Sequence, residues 1–160
     1  MALEPKLSDS PRIRKALGFY KVTSVITGVM LLLLCVEMIL KYAFKIEVYA
    51  FGEQGLFSLA PVELMFDDVT QTEKLMSKGD GFNLSTGFLI AHGWFYVVYL
   101  FSIFLLWSPM RWPFLRFLLL ALGGVIPFLS FFLEARTARE VESFLATRET
   151  TPPTNTEAAH

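Results

Sequence analysis

Apolar residues in this chain are gathered into three long runs separated by polar segments. The first run covers 17–44 and contains VTSVITGVMLLLLCVEMIL. The second, 84–108, lies within a stretch, 81–110, that has no Asp, Glu, Lys or Arg. The third covers 112–134, with Arg116 about one turn from its start. Each run is apolar around its whole helical circumference, as a helix in lipid or in a membrane core must be. Crossing a bilayer takes about 20 residues at about 1.5 Å each, and all three runs are that long. The pattern predicts an all-α membrane protein with three transmembrane helices.

The segment 45–83 between the first two runs has a different texture, with seven acids and three lysines. Within it Val62, Met65, Phe66, Val69 and Met76 recur at helical spacing. Pro61 suits a first helical turn, and the GDG at 79–81 is a stop signal. The reading is a short amphipathic helix at about 61–76 in the first loop. Anionic lipid favours Lys and Arg on such a helix, so its acid-rich surroundings make those five residues a candidate partner-binding face. The tight SPMRWP turn pairs the second and third runs as an antiparallel hairpin. Residues 1–16 form an N-terminal arm, and 135–160 a helical extension whose TTPPTNTEAAH end has a disordered composition.

Arg12, Arg14, Lys15 and Lys21 crowd the start of the first run, and Arg111 and Arg116 mark the second turn. Positive charge stays on the cytoplasmic side, which predicts a multi-pass plasma-membrane protein with a cytoplasmic N-terminus. Three crossings then place the C-terminus outside. The first run exceeds a signal-peptide core and lacks a small-x-small cleavage site after it, so it is expected to remain as an anchor.

Composition sharpens this picture. Apolar residues make up 54% and charged ones 18%, against about 45–50% and 25% in soluble domains. A net charge of −1 argues against a nucleic-acid partner. One cysteine and two histidines argue against a disulfide framework and a zinc site. No phosphate loop, dinucleotide glycine pattern, GxSxG or HExxH occurs. The expectation is a non-catalytic protein with no cofactor and no evident soluble small-molecule substrate.

His92 stands deep in the second run, where an ionisable group suggests a functional site by default. An interhelical hydrogen bond is the plainer use of it. Glu37 lies near the end of its run, within reach of the interface. Gly87 and Ala91, Ser24 and Gly28, and Thr23 and Thr27 are small pairs four apart, a spacing that permits close helix contact. Pro127, after Gly123 and Gly124, is expected to bend the third run. The candidate functional or packing residues are therefore His92, Gly93, Gly87, Ala91, Thr27, Gly28, Glu37 and Pro127.

Taken together, GFYKVTSVITGVMLLLLCVEMILKY, STGFLIAHGWFYVVYL and GGVIPFLSFFLEAR resemble a family of small bacterial integral membrane proteins. That family is grouped as a domain of unknown function and is frequent in actinobacteria. Lys21, Lys41, Tyr42, His92, Gly93, Pro127 and Phe128 match its pattern, over most of residues 15–136. Thr27 stands where members often carry Glu before the glycine of the first run, and the first loop is longer than usual. In size and build the chain is also similar to small accessory subunits of the fused actinobacterial cytochrome bcc–aa3 complexes. The aromatic-rich helices, the small-residue faces, the amphipathic loop and the lack of catalytic motifs lead to the expectation of an accessory subunit that packs against lipid and a larger integral membrane complex, with that respiratory supercomplex as its candidate. The alternative is an oligomeric transport or proton-linked component that uses His92.

Overall fold

The computed structural model describes residues 9–53 and 55–150. Residues 151–160 of the tail expected to be disordered, and the first half of the N-terminal arm, 1–8, lie outside the described residues. Helix α1 (Ser10–Ala43) leads into β1 (Ile46–Gly52), β2 (Gly55–Asp67), β3 (Thr72–Ser77) and β4 (Phe82–Asn83). Helix α2 (Leu84–Met110), the short α3 (Phe114–Gly123) and α4 (Leu129–Thr150) follow. The all-α expectation is overturned: the first loop folds as a sheet, and the third apolar run is broken into two helices. The chain divides into two compact units, one from Val29–Tyr96 and one from the residues up to Gly28 together with those from Val97 onward.

In the first of these units the strands are antiparallel in the order β3-β2-β1-β4. The β1–β2 hairpin closes with Gly52 opposite Gly55. Gly55 takes φ +124°, a conformation that a Cβ would obstruct. Pro61 is tolerated in β2 because of where it sits. It lies opposite Ile46, the first residue of β1, and the pairing with β3 starts at Val62 opposite Ser77. A residue without an N–H therefore falls where one ladder hands over to the next.

The supposed helix at 61–76 is the β2–β3 hairpin, and Asp67 turns its corner. Its carboxylate accepts hydrogen bonds from the Val69 amide (3.0 Å), the Thr70 hydroxyl (2.9 Å) and Lys74 Nζ (2.8 Å). This is an Asx-type turn, completed by Gln71 at φ +54° with its amide on the Asp67 carbonyl. Residues paired across antiparallel strands share a face, so the five expected to line one helix face are divided. Val62 and Phe66 lie with Ser77 and Glu73, Met65 and Met76 lie on the other side with Lys74 and Glu63, and Val69 is at the exposed tip.

The second unit is helical. Ile13 and Tyr20 of α1, Tyr99, Ile103 and Leu106 of α2 and Val141 of α4 are fully buried and form its core. Hydroxyl pairs join the helices: Thr23 to Ser102 at 2.7 Å, and Ser24 to Ser130 at 2.9 Å. Gly28 lets α4 come close, since a Cβ there would stand 2.9 Å from the Phe131 ring. Further along α4, Glu142 meets Lys21 at 2.5 Å, and Leu145 and Ala146 share a cavity wall with Arg14 and Gly18. Partners thus descend along α1 as numbers rise along α4, so the two helices are antiparallel.

Helix α3 has 10 residues, about 15 Å of rise or half a hydrocarbon core. It ends where Gly124 donates to the Ala121 carbonyl instead of that of Leu120. The freed Leu120 carbonyl accepts the Tyr99 hydroxyl at 2.8 Å, the internal satisfaction that a helix end away from water requires. Pro127 and Phe128, at φ +66°, lie in the elbow before α4 turns back toward the N-terminal end of α1. Pro127 therefore marks a break, where the sequence suggested a bend. Arg116 and Glu140 tie the two arms of this hairpin together. Among the described residues, two helices, α1 and α2, are long and apolar enough to cross a membrane, which points to membrane association.

Candidate interaction surface

The sheet buries its polar side. Glu47, Tyr49, Ser58 and Ala60 share one face of β1 and β2 by register, with Asn83 of β4 beside Tyr49. Glu47 is almost fully buried, and its charge is met from three directions. Lys41 of α1 pairs with it at 2.5 Å, Asn83 Nδ2 donates at 2.9 Å and the Tyr49 hydroxyl donates at 3.1 Å. Burial alone pushes this carboxyl up; the Lys41 contact and the two donors outweigh it and hold the group below its ordinary value. Asn83 has a second task, because its Oδ1 accepts the Thr86 amide at 3.0 Å and so caps the start of α2. The Tyr49 ring lies over Gly79, at a position that a Cβ would fill. One cluster thus ties the end of α1, the first strand and the start of α2.

The other face of the sheet is apolar, with large exposed side chains set around the buried Ala50. Val48 is paired with Leu59, and Ala50 lies between Phe57 on one side and Phe82 on the other. Leu59 is 68% exposed, Phe57 65% and Phe82 54%. Strands are about 4.8 Å apart, so the two phenylalanines flank the small Ala50 at a separation of about 10 Å. Exposed apolar side chains collected on one face mark a binding surface. Here they sit on a sheet joined to two apolar helices by two residues at one end and none at the other.

The residues singled out in the sequence fall in several places. Glu37 is buried and accepts the Ser85 hydroxyl at 2.9 Å, so it does not reach outward to the interface. His92 is half-buried and stacks on Tyr96 of its own helix, with ring centroids 6.2 Å apart. Gly87 makes room for the Phe82 ring, and a Cβ at Gly93 would meet nothing. Ala91 is half-buried, and Thr27 is fully buried one residue before Gly28. Sequence reasoning missed Glu47, Tyr49 and Asn83. An Asn immediately before an apolar helical run is an N-cap signal, and it was the one available pointer to this cluster.

These features define a small membrane-associated protein with a compact sheet inserted between two apolar helices. The chain belongs to the family described as Domain of unknown function (DUF3817), whose model matches residues 17–139. It is similar to the uncharacterized proteins Rv1342c of Mycobacterium tuberculosis and Mb1377c of Mycobacterium bovis. Each is 25% identical over 132 residues, which is 82% of this chain and 81% of the relative. No solved structure matches the chain.

Proposed function

We propose that the protein is a non-catalytic accessory subunit, anchored by α1 and α2, whose sheet docks through its apolar face on a larger membrane complex. The observation that carries this reading is the inversion of the sheet: Glu47 is inside while Phe57, Leu59 and Phe82 are exposed. Lipid is a poor cover for that face, because the segment holding it has seven acids and three lysines and anionic headgroups repel such a charge. A protein surface is the better fit. In this topology α1 and α2 are the two crossings, the N-terminus is cytoplasmic and the sheet is outside. Helices α3 and α4 enter about halfway and return, so the C-terminal end of α4 shares the side of the N-terminus. The extracytoplasmic C-terminus expected from three crossings is not carried forward.

The test is a double substitution, Phe57→Asp with Leu59→Asp, in cells carrying the tagged protein. Solubilised in mild detergent, the wild-type protein is expected to migrate with a large complex in fixed ratio. The actinobacterial cytochrome bcc–aa3 assembly is probed first, by its haem absorbance. The variant is expected to remain in the membrane fraction but leave the complex. Unchanged co-migration of the variant would refute docking through this face.

A further inference from the structure

Four basic residues crowd the first turns of α1, and the structure treats them differently. Lys21 is paired with Glu142, and Arg14 faces the cavity wall that α4 shares. Arg12 and Lys15, exposed as Arg14 is, line a different cavity, of about 510 Å³. The rest of its lining is Pro11, Ala16, Phe19 and Leu105, the last supplied by α2. On a helix, positions 12, 15, 16 and 19 form one stripe. Read along α1 into the apolar run, that stripe presents cation, cation, small residue, aromatic.

The order matches the anatomy of a phospholipid at the membrane surface. A phosphodiester fits beside Arg12 and Lys15, and the start of an acyl chain fits over Ala16 between Phe19 and Leu105. The cavity volume is in the range of small-ligand sites. The first turn of α1 carries no acidic residue, and Asp9 just before it is not part of the cavity lining. A basic pocket between two membrane helices, at the charged end of one of them, is a setting for an anionic headgroup. A neutral phospholipid gains less there, because its own ammonium group opposes the same cations.

We propose that the cavity formed by Arg12, Lys15, Phe19 and Leu105 binds the phosphate of an anionic phospholipid in the leaflet on the N-terminal side. The site rests on the reading that α1 and α2 cross the bilayer, and it is independent of the docking face on the sheet. It would couple the position of the helical unit to the charge of the surrounding lipid.

The experiment uses the full chain, delipidated in a neutral detergent, with thermal unfolding and native mass spectrometry as readouts. Phosphatidylglycerol is expected to raise the unfolding temperature saturably and to remain bound in the mass spectrum, and phosphatidylcholine to do neither. Arg12→Gln with Lys15→Gln is expected to weaken phosphatidylglycerol binding at least tenfold. Should that variant misfold, a salt titration of the wild-type protein decides, because binding through two exposed cations must weaken as salt screens them. Equal binding of phosphatidylcholine, salt-independent binding, or full binding by a folded double variant would each overturn the proposal. The same stabilisation by inorganic phosphate alone would assign the cavity to a free anion and overturn the lipid. Carbonate extraction keeps the two readings apart: a protein released from the membrane refutes the crossings, and one retained without lipid selectivity refutes only the site.

Discussion

A carboxylate removed from water must have its charge met, and at Glu47 most of that duty falls on Lys41. Removing one partner of such a buried pair costs about 3–5 kcal/mol, since the other charge is left uncompensated. Lys41→Met is therefore expected to lower stability by about that amount, and Lys41→Met with Glu47→Gln to recover most of it. Thermal unfolding in detergent measures both. The pH dependence has a definite sign. The folded carboxyl lies below its ordinary value, so its stabilising contribution is complete above the unfolded pKa of about 4.3. It is lost as pH falls through the lower folded value, and the double variant should lack this acid-side decline. His92 tests the other residue-scale idea, that it packs rather than titrates. The structure stacks it on Tyr96 within one helix, so His92→Gln and His92→Leu should both leave assembly intact, at a cost of about 0.2–0.5 kcal/mol. Loss of a measurable activity in the Gln variant with assembly preserved would favour the proton-linked role.

Elements are held together by close approach at a few points, and glycines show which ones. Gly28→Leu would force a side chain into the Phe131 ring, an overpacking expected to cost about 1–3 kcal/mol. Gly93→Leu has open space before it and should stay within about 0.5 kcal/mol of wild type. Chemical unfolding of the two variants side by side checks this, and equal losses would contradict the close approach of Phe131 to Gly28. The Gly28 contact was legible as a small residue four after Ser24, and the first two apolar helices were legible from length and hydropathy. The sheet was not, because Val62, Met65, Phe66 and Val69 satisfy a helical period as readily as they fit a short strand and turn. Strand pairing decided between them: β1 supplies a partner up to Pro61 and β3 from Val62, information that lies outside the window. The break after Gly123 was hidden for a similar reason. Gly-Gly followed by Pro marks a weak point in any apolar helix, but only the Tyr99 hydroxyl on the Leu120 carbonyl makes a complete break tolerable there. The buried cluster around Glu47 was illegible except through the cap residue Asn83, since its members come from three separate elements.

For the whole molecule, the decisive quantity is the number of crossings, and it turns on α3 and α4. A single helix over 112–134 would carry the chain across the bilayer a third time. Two helices with an elbow at 124–128 bring it back, as the antiparallel course of α4 along α1 requires. Cysteine labelling separates the two arrangements. In a background lacking Cys35, single cysteines replace Ser10 at the start of α1, Glu73 on β3 and Ser143 on α4, the last two exposed. An impermeant maleimide on intact cells should label position 73, and should reach 10 and 143 only after the membrane is opened. Three crossings would make 143 label together with 73, and an inverted protein would label 10 and 143 but not 73. The side taken by Ser143 also decides whether the ion pairs Lys21–Glu142 and Arg116–Glu140 can exist together. The first requires the charged half of α4 to lie beside the basic start of α1, and the second requires it to lie beside the start of α3. Labelling at 143 together with 73 but without 10 would therefore break the helical unit as described, as well as the topology. If 143 is instead protected together with 10, the stretch from Arg136 to Arg148 is free to be charged because it lies beside the basic end of α1 at the cytoplasmic surface.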